Sequence, residues 1–342
     1  MKPNRTSSKI VVIGDLNGAY DVLVDILRGT ELVNRELAWR GGRAELVQMG
    51  DLFNRGDGGL QALRLLLRLQ RQARKVGGKV TVLLGNHEVM SALGHEGYCT
   101  EGEYLSFASA RERRAWPDRV ERAMKRLVRQ RPKGILLPIQ PRLEAWKIEH
   151  VPGRTALRKE LGPRGKLGRA LRALPMVYQA HGCLFVHAGL LPDWAELGVA
   201  GLNELARDTW TRAGNGLWSL PKKSVFRNPT GPLWDRSLVR GGVKARASLN
   251  RTLRQLGAAR MIVGHTQTES LAGGAAGRVL LLAGGRLIAV DVGLSSGPST
   301  PRTALILDGP RGLEWTPSKT RVLWNARGSV ALPSNRPKRP PR

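Results

Sequence analysis

Five short apolar segments of this 342-residue chain each run straight into a polar, glycine-containing loop. The first is KIVVI (residues 9–13), which is followed by the loop GDLNG and then by YDVLVDIL (20–27), where apolar residues recur at helical spacing. The same order returns at ELVQM (45–49) and at KVTVLL (79–84). Repeated strand–loop–helix units place strands side by side, and their loops gather at the carboxyl ends, where α/β proteins bind ligands. We therefore expect one polar rim.

Two segments differ in composition from the rest of the chain. Residues 95–175 are rich in arginine, and the stretch 111–172 alone has 19 basic and 6 acidic residues in a chain of net charge +29. We expect a helical, basic insertion that caps the rim, in pieces broken by Pro117, Pro132, Pro138, Pro141, Pro152 and Pro163. Residues 311–342 have 8 basic residues and one acidic residue, which predicts a solvated, Pro- and Arg-rich tail after a single domain at 1–310.

The polar loops at the strand ends carry carboxylates, carboxamides and imidazoles. These side chains are Asp15, Asn17, Asp51, Asn54, Asn86, His87, His187 and His265. A single Gly-Asp turn or a single histidine is usually structural. Five such loops in succession, each after an apolar strand, are difficult to explain as turns and indicate a metal or phosphate site.

In order and spacing, the loops GDLNG, GDLFNRG, GNHE, VHAGL and GHTQ resemble the signature of calcineurin-like metallophosphoesterases of the phosphoprotein phosphatase type. That signature reads GDxHG, GDxxDRG and GNHE, then a histidine after a later strand and another in GHT. The phrase GPLWDR (231–236) and the form VHAGL are most similar to Shewanella-like protein phosphatases. The resemblance covers about residues 9–308 apart from the insertion. It implies an α/β (α+β) fold of four layers, with two packed sheets flanked by helices, and a metal-dependent phosphoester hydrolase.

Carried over position by position, the resemblance implies two divalent metal ions that activate a water as hydroxide. Asp15 and Asn17 would bind the first ion, Asp51 would bridge both, and the second ion would be held by Asn86, His187 and His265. A carboxylate between two cations offsets their repulsion. Mn²⁺ is the expected metal, with Mg²⁺, Fe or Zn²⁺ as alternatives.

The resemblance also implies the residues that act on the phosphate ester. His87 would donate a proton to the leaving oxygen, and Arg55 and Arg236 would bind phosphate oxygens through their planar guanidinium groups.

The sequence departs from the family pattern at two of these positions. Asn17 stands where the pattern has histidine, which makes the first ligand set all oxygen and favours Mn²⁺ or Mg²⁺ over Zn²⁺ or Fe. Asn54 stands where it has aspartate; an amide accepts the imidazole hydrogen bond but adds little charge, so the acid should be weaker. Turnover of aryl phosphates and phosphoanhydrides should be reduced least by the weaker acid. Asn54→Asp should raise turnover on alkyl phosphates more than on p-nitrophenyl phosphate.

Other functions are compatible with these two substitutions. The substrate could be a phosphoprotein of the serine/threonine type, a phosphotyrosine protein, a nucleotide such as a dinucleoside polyphosphate, or a small phosphoester. An impaired, phosphate-binding pseudo-phosphatase is a further alternative. A nuclease is less favoured, because aromatic residues make up only 5% of the chain and no basic–aromatic strand could stack bases, so no specific nucleic acid is expected. With no apolar run of 18 residues, we expect a cytoplasmic monomer without membrane contact.

Overall fold

The apolar runs of the sequence form two β-sheets in the computed structural model of the chain. The structure describes residues 9–130, 138–213, 216–294 and 300–325, together with the backbone of 328–329. The described strands are β1 (Ile10–Ile13), β2 (Glu45–Gln48), β3 (Lys79–Val82), β4 (Val177–Ala180), β5 (Cys183–Val186), β6 (Arg260–Val263), β7 (Leu280–Leu282), β8 (Leu287–Ala289), β9 (Ala304–Asp308), β10 (Arg311–Trp315), β11 (Thr320–Asn325) and β12 (Gly328–Ser329).

Each sheet is mixed, with three parallel strands and additional antiparallel strands. The first has the order β12-β11-β10-β9-β1-β2-β3, in which β1, β2 and β3 are parallel and β9, β10 and β11 pair antiparallel. The second has the order β4-β5-β6-β8-β7, with β5, β6 and β8 parallel. Strands buried on both faces are apolar throughout, as all four residues of β1 are, because helices cover the sheets. The predicted α/β metallophosphoesterase fold of two packed sheets flanked by helices is confirmed.

Helices follow the strands at the expected places. Their bounds are α1 (Tyr20–Gly29), α2 (Gly59–Lys75), α3 (Asn86–Ala92), α4 (Glu101–Phe107), α5 (Ala110–Arg129), α6 (Ile139–His150), α7 (Arg154–Leu161), α8 (Lys166–Arg172), α9 (Pro192–Ala195), α10 (Gly198–Arg212), α11 (Ser237–Arg240) and α12 (Val243–Gln255). Short 3-10 turns span Leu217–Ser219, Thr268–Ser270 and Ala283–Gly285. None of the helices in the described ranges combines the length and apolarity needed to cross a bilayer.

The insertion is helical, as predicted, and consists of α4 to α8. Its longest helix, α5, begins with a capping box in which Ser109 and Glu112 bond each other's backbone N–H groups. This helix continues through Pro117, so the prediction of a break there is wrong. Pro138 and Pro141 lie at the start of α6, where the first turn has no hydrogen bond for a proline to remove. Pro132 falls outside the described residues.

The predicted domain boundary at residue 310 is also wrong, because the first sheet continues through β10 and β11 to β12 at Gly328–Ser329. Polar composition concealed these strands. Glu314 in β10 is buried, and it pairs with Arg278 at 2.8 Å and with Arg321 of β11 at 3.2 Å. The charges are therefore satisfied across strands rather than by solvent. The remainder of the predicted tail, from 330 to 342, lies outside the described residues.

Candidate metal centre

The polar loops of both sheets meet at one rim and lock each other through their backbones. The N–H groups of Leu16 and Asn17 donate to the carbonyl of Asp51 at 3.0 and 2.7 Å, and that of Gly264 donates to the carbonyl of His187 at 2.8 Å. Glycine is required at this meeting point, because a Cβ at Gly264 would lie 2.2 Å from Oδ1 of Asp15. The predicted rim therefore exists. Backbone bonds join neighbouring loops within each sheet, and the close approach of Gly264 to Asp15 brings the loops of the two sheets together.

Several site residues have strained backbone conformations. Positive φ angles occur at Asn17, Asp51, Asn54, Arg55 and His265, with values between 44° and 71°. Non-glycine residues seldom adopt this region, and such strain persists where the surrounding structure enforces it. Here the inter-loop hydrogen bonds enforce it and fix the direction of each side chain.

Three of the predicted ligands form a compact buried cluster. One ligand atom each from Asp51, His187 and His265 lies within 4.8 Å of the other two. Nε2 of His187 is 3.4 Å from Oδ1 of Asp51 and 2.9 Å from Oδ1 of Asn86, so Asn86 joins the same group. The other ring nitrogen, Nδ1, donates to the carbonyl of Met49 at 2.8 Å, and this bond presents Nε2 to the cluster.

Among the predicted ligands in the described part of the chain, two buried polar atoms lack a hydrogen-bond partner. They are Nε2 of His265 and Oδ1 of Asn17, and both residues are less than 10% exposed. Leaving a buried acceptor unpaired costs about 1–3 kcal/mol, so such atoms call for a ligand. Nitrogen and amide oxygen are both donors to divalent cations, and the carboxylates beside them supply negative charge. The residues present fit a pair of divalent metal ions.

Asp15 and Asn17 are held less directly than the other ligands. Both carboxylate oxygens of Asp15 accept from the backbone N–H of His265, at 3.1 and 2.9 Å. Asn17 is attached to the centre through its backbone bond to Asp51, and it borders a separate cavity of about 520 Å³ beside Tyr20 and Gln61. The structure thus brings six predicted ligands to one rim, with Asn17 at its margin.

Burial and mutual charge set the protonation of the cluster. Burial lowers the pKa of His187, but Asp51 and Asp15 outweigh it and raise that pKa to about 10. Burial raises the pKa of Asp51, but His187 and His87 hold it well below its usual range. Burial, together with His187, lowers the pKa of His265 to about 2. His187 therefore carries a proton in the metal-free protein, and His265 is neutral and available to a cation.

Glu88 organises two loops, a role that the sequence reasoning missed. Its carboxylate accepts backbone N–H donors from Asp51 and Leu52 at 2.7 Å each and from Gly85 at 2.9 Å. Burial and the charge of Asp51 raise the pKa of Glu88 to about 7. The position of this glutamate in the first turn of α3 was a usable signal, because first-turn acids bond free N–H groups.

His87, the predicted proton donor, is buried between Asn54 and the metal cluster. Its Nδ1 donates to Oδ1 of Asn54 at 2.8 Å, and its Nε2 lies 3.8 Å from Oδ2 of Asp51. Burial, with Arg55 nearby, lowers the pKa of His87 although Asp51 opposes the shift. Nε2 therefore faces the metal cluster while Nδ1 is fixed by Asn54.

A cavity of about 240 Å³ opens over the cluster and is walled by aromatic rings. Arg55 and Arg236 line it, and Nη1 of Arg236 donates to the carbonyl of His265 at 3.0 Å. At the mouth, Tyr98 and Trp218 are 49% and 65% exposed. The cavity therefore combines two guanidinium groups with an aromatic rim, which suits a phosphate carried by an apolar or aromatic group.

The expected basic cap does not form this lining. From residues 95–175, His95 and Tyr98 face the cavity, and no side chain of the described helices α4 to α8 is among those that line it. Helices α5 and α6 pack against each other around Ala123, Leu127 and Leu143. The ring of His95 lies 5.3 Å from that of Trp218.

Comparisons with known proteins agree on one family. The family model described as calcineurin-like phosphoesterase matches residues 8–139. Shewanella-like protein phosphatase 2 of Arabidopsis thaliana is 30% identical over 307 residues, which cover 86% of this chain and 73% of that protein. A symmetrical bis(5'-nucleosyl)-tetraphosphatase of Methylobacillus flagellatus is 26% identical over 183 residues, or 54% of this chain and 44% of that protein. A cold-active protein-tyrosine phosphatase of a psychrophilic Shewanella species has the same fold, with a TM-score of 0.68, 23% identity and coverage of 93% and 80%.

The fold, the cluster and the family match define a metal-dependent phosphoester hydrolase of the calcineurin-like type. Within that family, the chain belongs to the Shewanella-like protein phosphatases. The dinucleoside polyphosphate hydrolase alternative is not favoured, because the match to the tetraphosphatase is both shorter and less complete.

Proposed function

We propose that this phosphatase acts on aryl phosphate monoesters, such as a phosphotyrosine side chain, and that Mn²⁺ is its preferred metal. The observation that carries the proposal is the 2.8 Å hydrogen bond from Nδ1 of His87 to the neutral amide of Asn54. A neutral acceptor stabilises the charged imidazole less than a carboxylate would. Such an acid suits phenolic leaving groups, which need a proton less than alkoxides do.

The cavity mouth supports the same class of substrate. Tyr98 packs edge-on against His87, with ring centroids 5.3 Å apart, and the guanidinium of Arg55 lies 5.8 Å from the Tyr98 ring. Trp218 stands at the mouth with Arg227 over its ring at 4.8 Å. A phosphate near Arg55 and Arg236 would thus place its attached ring between two exposed aromatic side chains.

The residues of the chain have separate roles in this reaction. Asp15, Asn17, Asp51, Asn86, His187 and His265 would hold two divalent ions, which supply a nucleophilic hydroxide and neutralise phosphate charge. Arg55 and Arg236 would bind and orient the phosphate oxygens. His87 would give a proton from Nε2 to the departing oxygen, while Asn54 keeps Nδ1 hydrogen-bonded.

Metal choice follows from the ligand atoms of the first site. With Asn17 in place of an imidazole, that site offers oxygen alone, and oxygen ligands suit Mn²⁺ or Mg²⁺ better than Zn²⁺.

The test uses two peptides of identical sequence, one with phosphotyrosine and one with phosphoserine. Chelator-treated protein is assayed with Mn²⁺, Mg²⁺, Zn²⁺ or no metal. We expect activity to require metal, to be highest with Mn²⁺, and to favour phosphotyrosine by about tenfold or more in kcat/KM, since the phenolic group leaves with less acid assistance. Equal rates on both peptides would contradict the substrate class, and equal rates with and without metal would contradict the metal requirement.

A further inference from the structure

A buried carboxylate lies directly behind Asn54. Glu103, in the first turn of α4, is fully buried, and its Oε1 accepts the backbone N–H of Asn54 at 2.9 Å. Its Oε2 accepts the side-chain N–H of Asn54 at 3.1 Å. No Lys, Arg or His within the described ranges forms a salt bridge with Glu103. A buried acid with amide donors on both oxygens and no cationic partner is costly unless it has a specific purpose.

The three residues form one hydrogen-bonded line of imidazole, amide and carboxylate. Nδ1 of His87 donates to Oδ1 of Asn54, and Nδ2 of Asn54 donates to Oε2 of Glu103. Ser91 and Cys99 also lie 3.2 Å from Nδ2, but neither carries a charge that would orient the amide. Glu103 therefore decides which end of the Asn54 amide faces the imidazole.

We infer that Glu103 is a positioning residue, which turns the amide oxygen of Asn54 towards His87. Through Asn54, it also supplies the negative charge that the family motif places directly at position 54. A carboxylate on the NH₂ side polarises the amide and strengthens its oxygen as an acceptor. With the amide reversed, the oxygen would face a carboxylate and the NH₂ group would face Nδ1. The doubly protonated imidazole would then lose its acceptor, and with it the form that donates a proton.

The inference changes the expectation for Asn54→Asp, which was to raise turnover on alkyl phosphates. An aspartate at that position would place a second buried carboxylate beside Glu103. Two carboxylates at hydrogen-bonding distance do not both ionise, so they would share a proton. The gain should appear only when Glu103 is replaced as well. The double variant Asn54→Asp/Glu103→Gln exchanges acid and amide, keeps the total charge and puts the carboxylate next to His87.

The experiment, which rests on the proposed phosphatase activity, compares four proteins on a series of aryl phosphates. These are the wild type, Glu103→Gln, Asn54→Asp and the double variant, and the esters run from 2,4-dinitrophenyl phosphate to phenyl phosphate. For Glu103→Gln we expect kcat to fall about tenfold on phenyl phosphate and less than about twofold on the dinitrophenyl ester, because only poor leaving groups need the acid. In the Asn54→Asp background the same change should instead increase kcat on phenyl phosphate.

Two controls separate positioning from folding. Glu101 lies in the same turn of α4, but its carboxylate accepts from Trp116 and not from Asn54. Glu101→Gln should therefore leave the dependence of kcat on the leaving group unchanged. Every variant should also bind Mn²⁺ with the wild-type stoichiometry. If Glu103→Gln alone does not fold, the charge-conserving double variant still tests the inference, since it should match or exceed the wild type on phenyl phosphate.

Distinct results would overturn the inference and the proposed function. An equal loss of kcat on all esters after Glu103→Gln would show that Glu103 is only a structural residue. A change of kcat with the same sign in the wild-type and Asn54→Asp backgrounds would show the same, and both results would leave the phosphatase assignment intact. A wild type that hydrolyses no ester with any metal would remove the proposed function. The hydrogen bond between His87 and Asn54 is then observed through the Nδ1–H proton resonance of His87. This resonance should move upfield in Glu103→Gln, and an unchanged resonance would contradict the inference.

Discussion

The half of the metal centre around His187 and the half around Asp15 differ in how their charges are balanced without metal. Around His187, a proton on the imidazole faces Asp51 and the amide oxygen of Asn86. Around Asp15, burial raises the pKa of the carboxyl group, and the charge of a second buried acid, Asp291, raises it further. Metal therefore competes with a proton on an imidazole in the first group, whereas in the second it competes with protonation of carboxylates that repel each other.

One residue, Asp51, contacts both halves. Asp51 approaches His187 and His87 through its side chain, and its backbone carbonyl holds the loop of Asp15 and Asn17. The half around His187 is assembled by direct side-chain contacts, and the half around Asp15 by backbone contacts. We expect the two halves to respond differently to substitution.

The largest effect should come from Asp51→Asn, which removes the carboxylate common to both halves. Loss of a preorganised charged group at a reacting centre costs about 10²–10³ in rate, so kcat/KM should fall by about 10³-fold or more. The assay is p-nitrophenyl phosphate hydrolysis at saturating Mn²⁺. Asp57→Asn, in the same loop but exposed and bonded to Thr100, should retain wild-type activity. Retention of a tenth of the activity by Asp51→Asn would contradict a shared bridging role.

The next effect compares the halves directly through His265→Ala and Asn17→Ala. His265 offers a neutral, unpartnered Nε2 within the compact cluster. Its loss should therefore reduce the metal affinity of the site around His187 by about 100-fold. Asn17→Ala should leave that site within about tenfold of the wild type and reduce the bound metal from about two ions to one. Equilibrium dialysis with metal analysis measures both quantities. If the two variants lost metal equally, the halves would not be independent.

A smaller effect is expected when the family's imidazole is restored by Asn17→His. Nitrogen suits Zn²⁺ better than amide oxygen does, so the Zn²⁺/Mn²⁺ affinity ratio of the site around Asp15 should rise about tenfold. Asn17→Gln, which keeps the amide, is the matched control and should not shift the ratio. Competition dialysis with both metals gives the result, and an unchanged ratio in Asn17→His would place residue 17 outside the ligand set.

The parts of this centre that the sequence predicted are those defined by local patterns. Apolar runs followed by Gly-Asp, Gly-Asn or Gly-His loops predicted the strands and the rim because each pattern spans fewer than about ten residues. By contrast, Asn54 and Glu103 are 49 positions apart, so the hydrogen bonds between them become visible only after the chain has folded. The same applies to β10, where the charge of Glu314 suggested solvent until Arg278 and Arg321 were brought to it.

The smallest effect should be on stability, from Asp291→Asn in the half around Asp15. Burial raises the pKa of Asp291 to about 6, above the ordinary value of 3.8. The folded state therefore binds more protons than the unfolded state between these values, so the free energy of unfolding falls as pH rises through this window. Replacing the acid with an amide should stabilise the metal-free protein by only about 1 kcal/mol at neutral pH, because the amide oxygen accepts the Gly293 N–H more weakly than a carboxylate does, and should bring no gain at about pH 4. Urea unfolding of chelator-treated protein at both pH values measures this, and an equal gain at both would show that carboxylate charge does not destabilise this half.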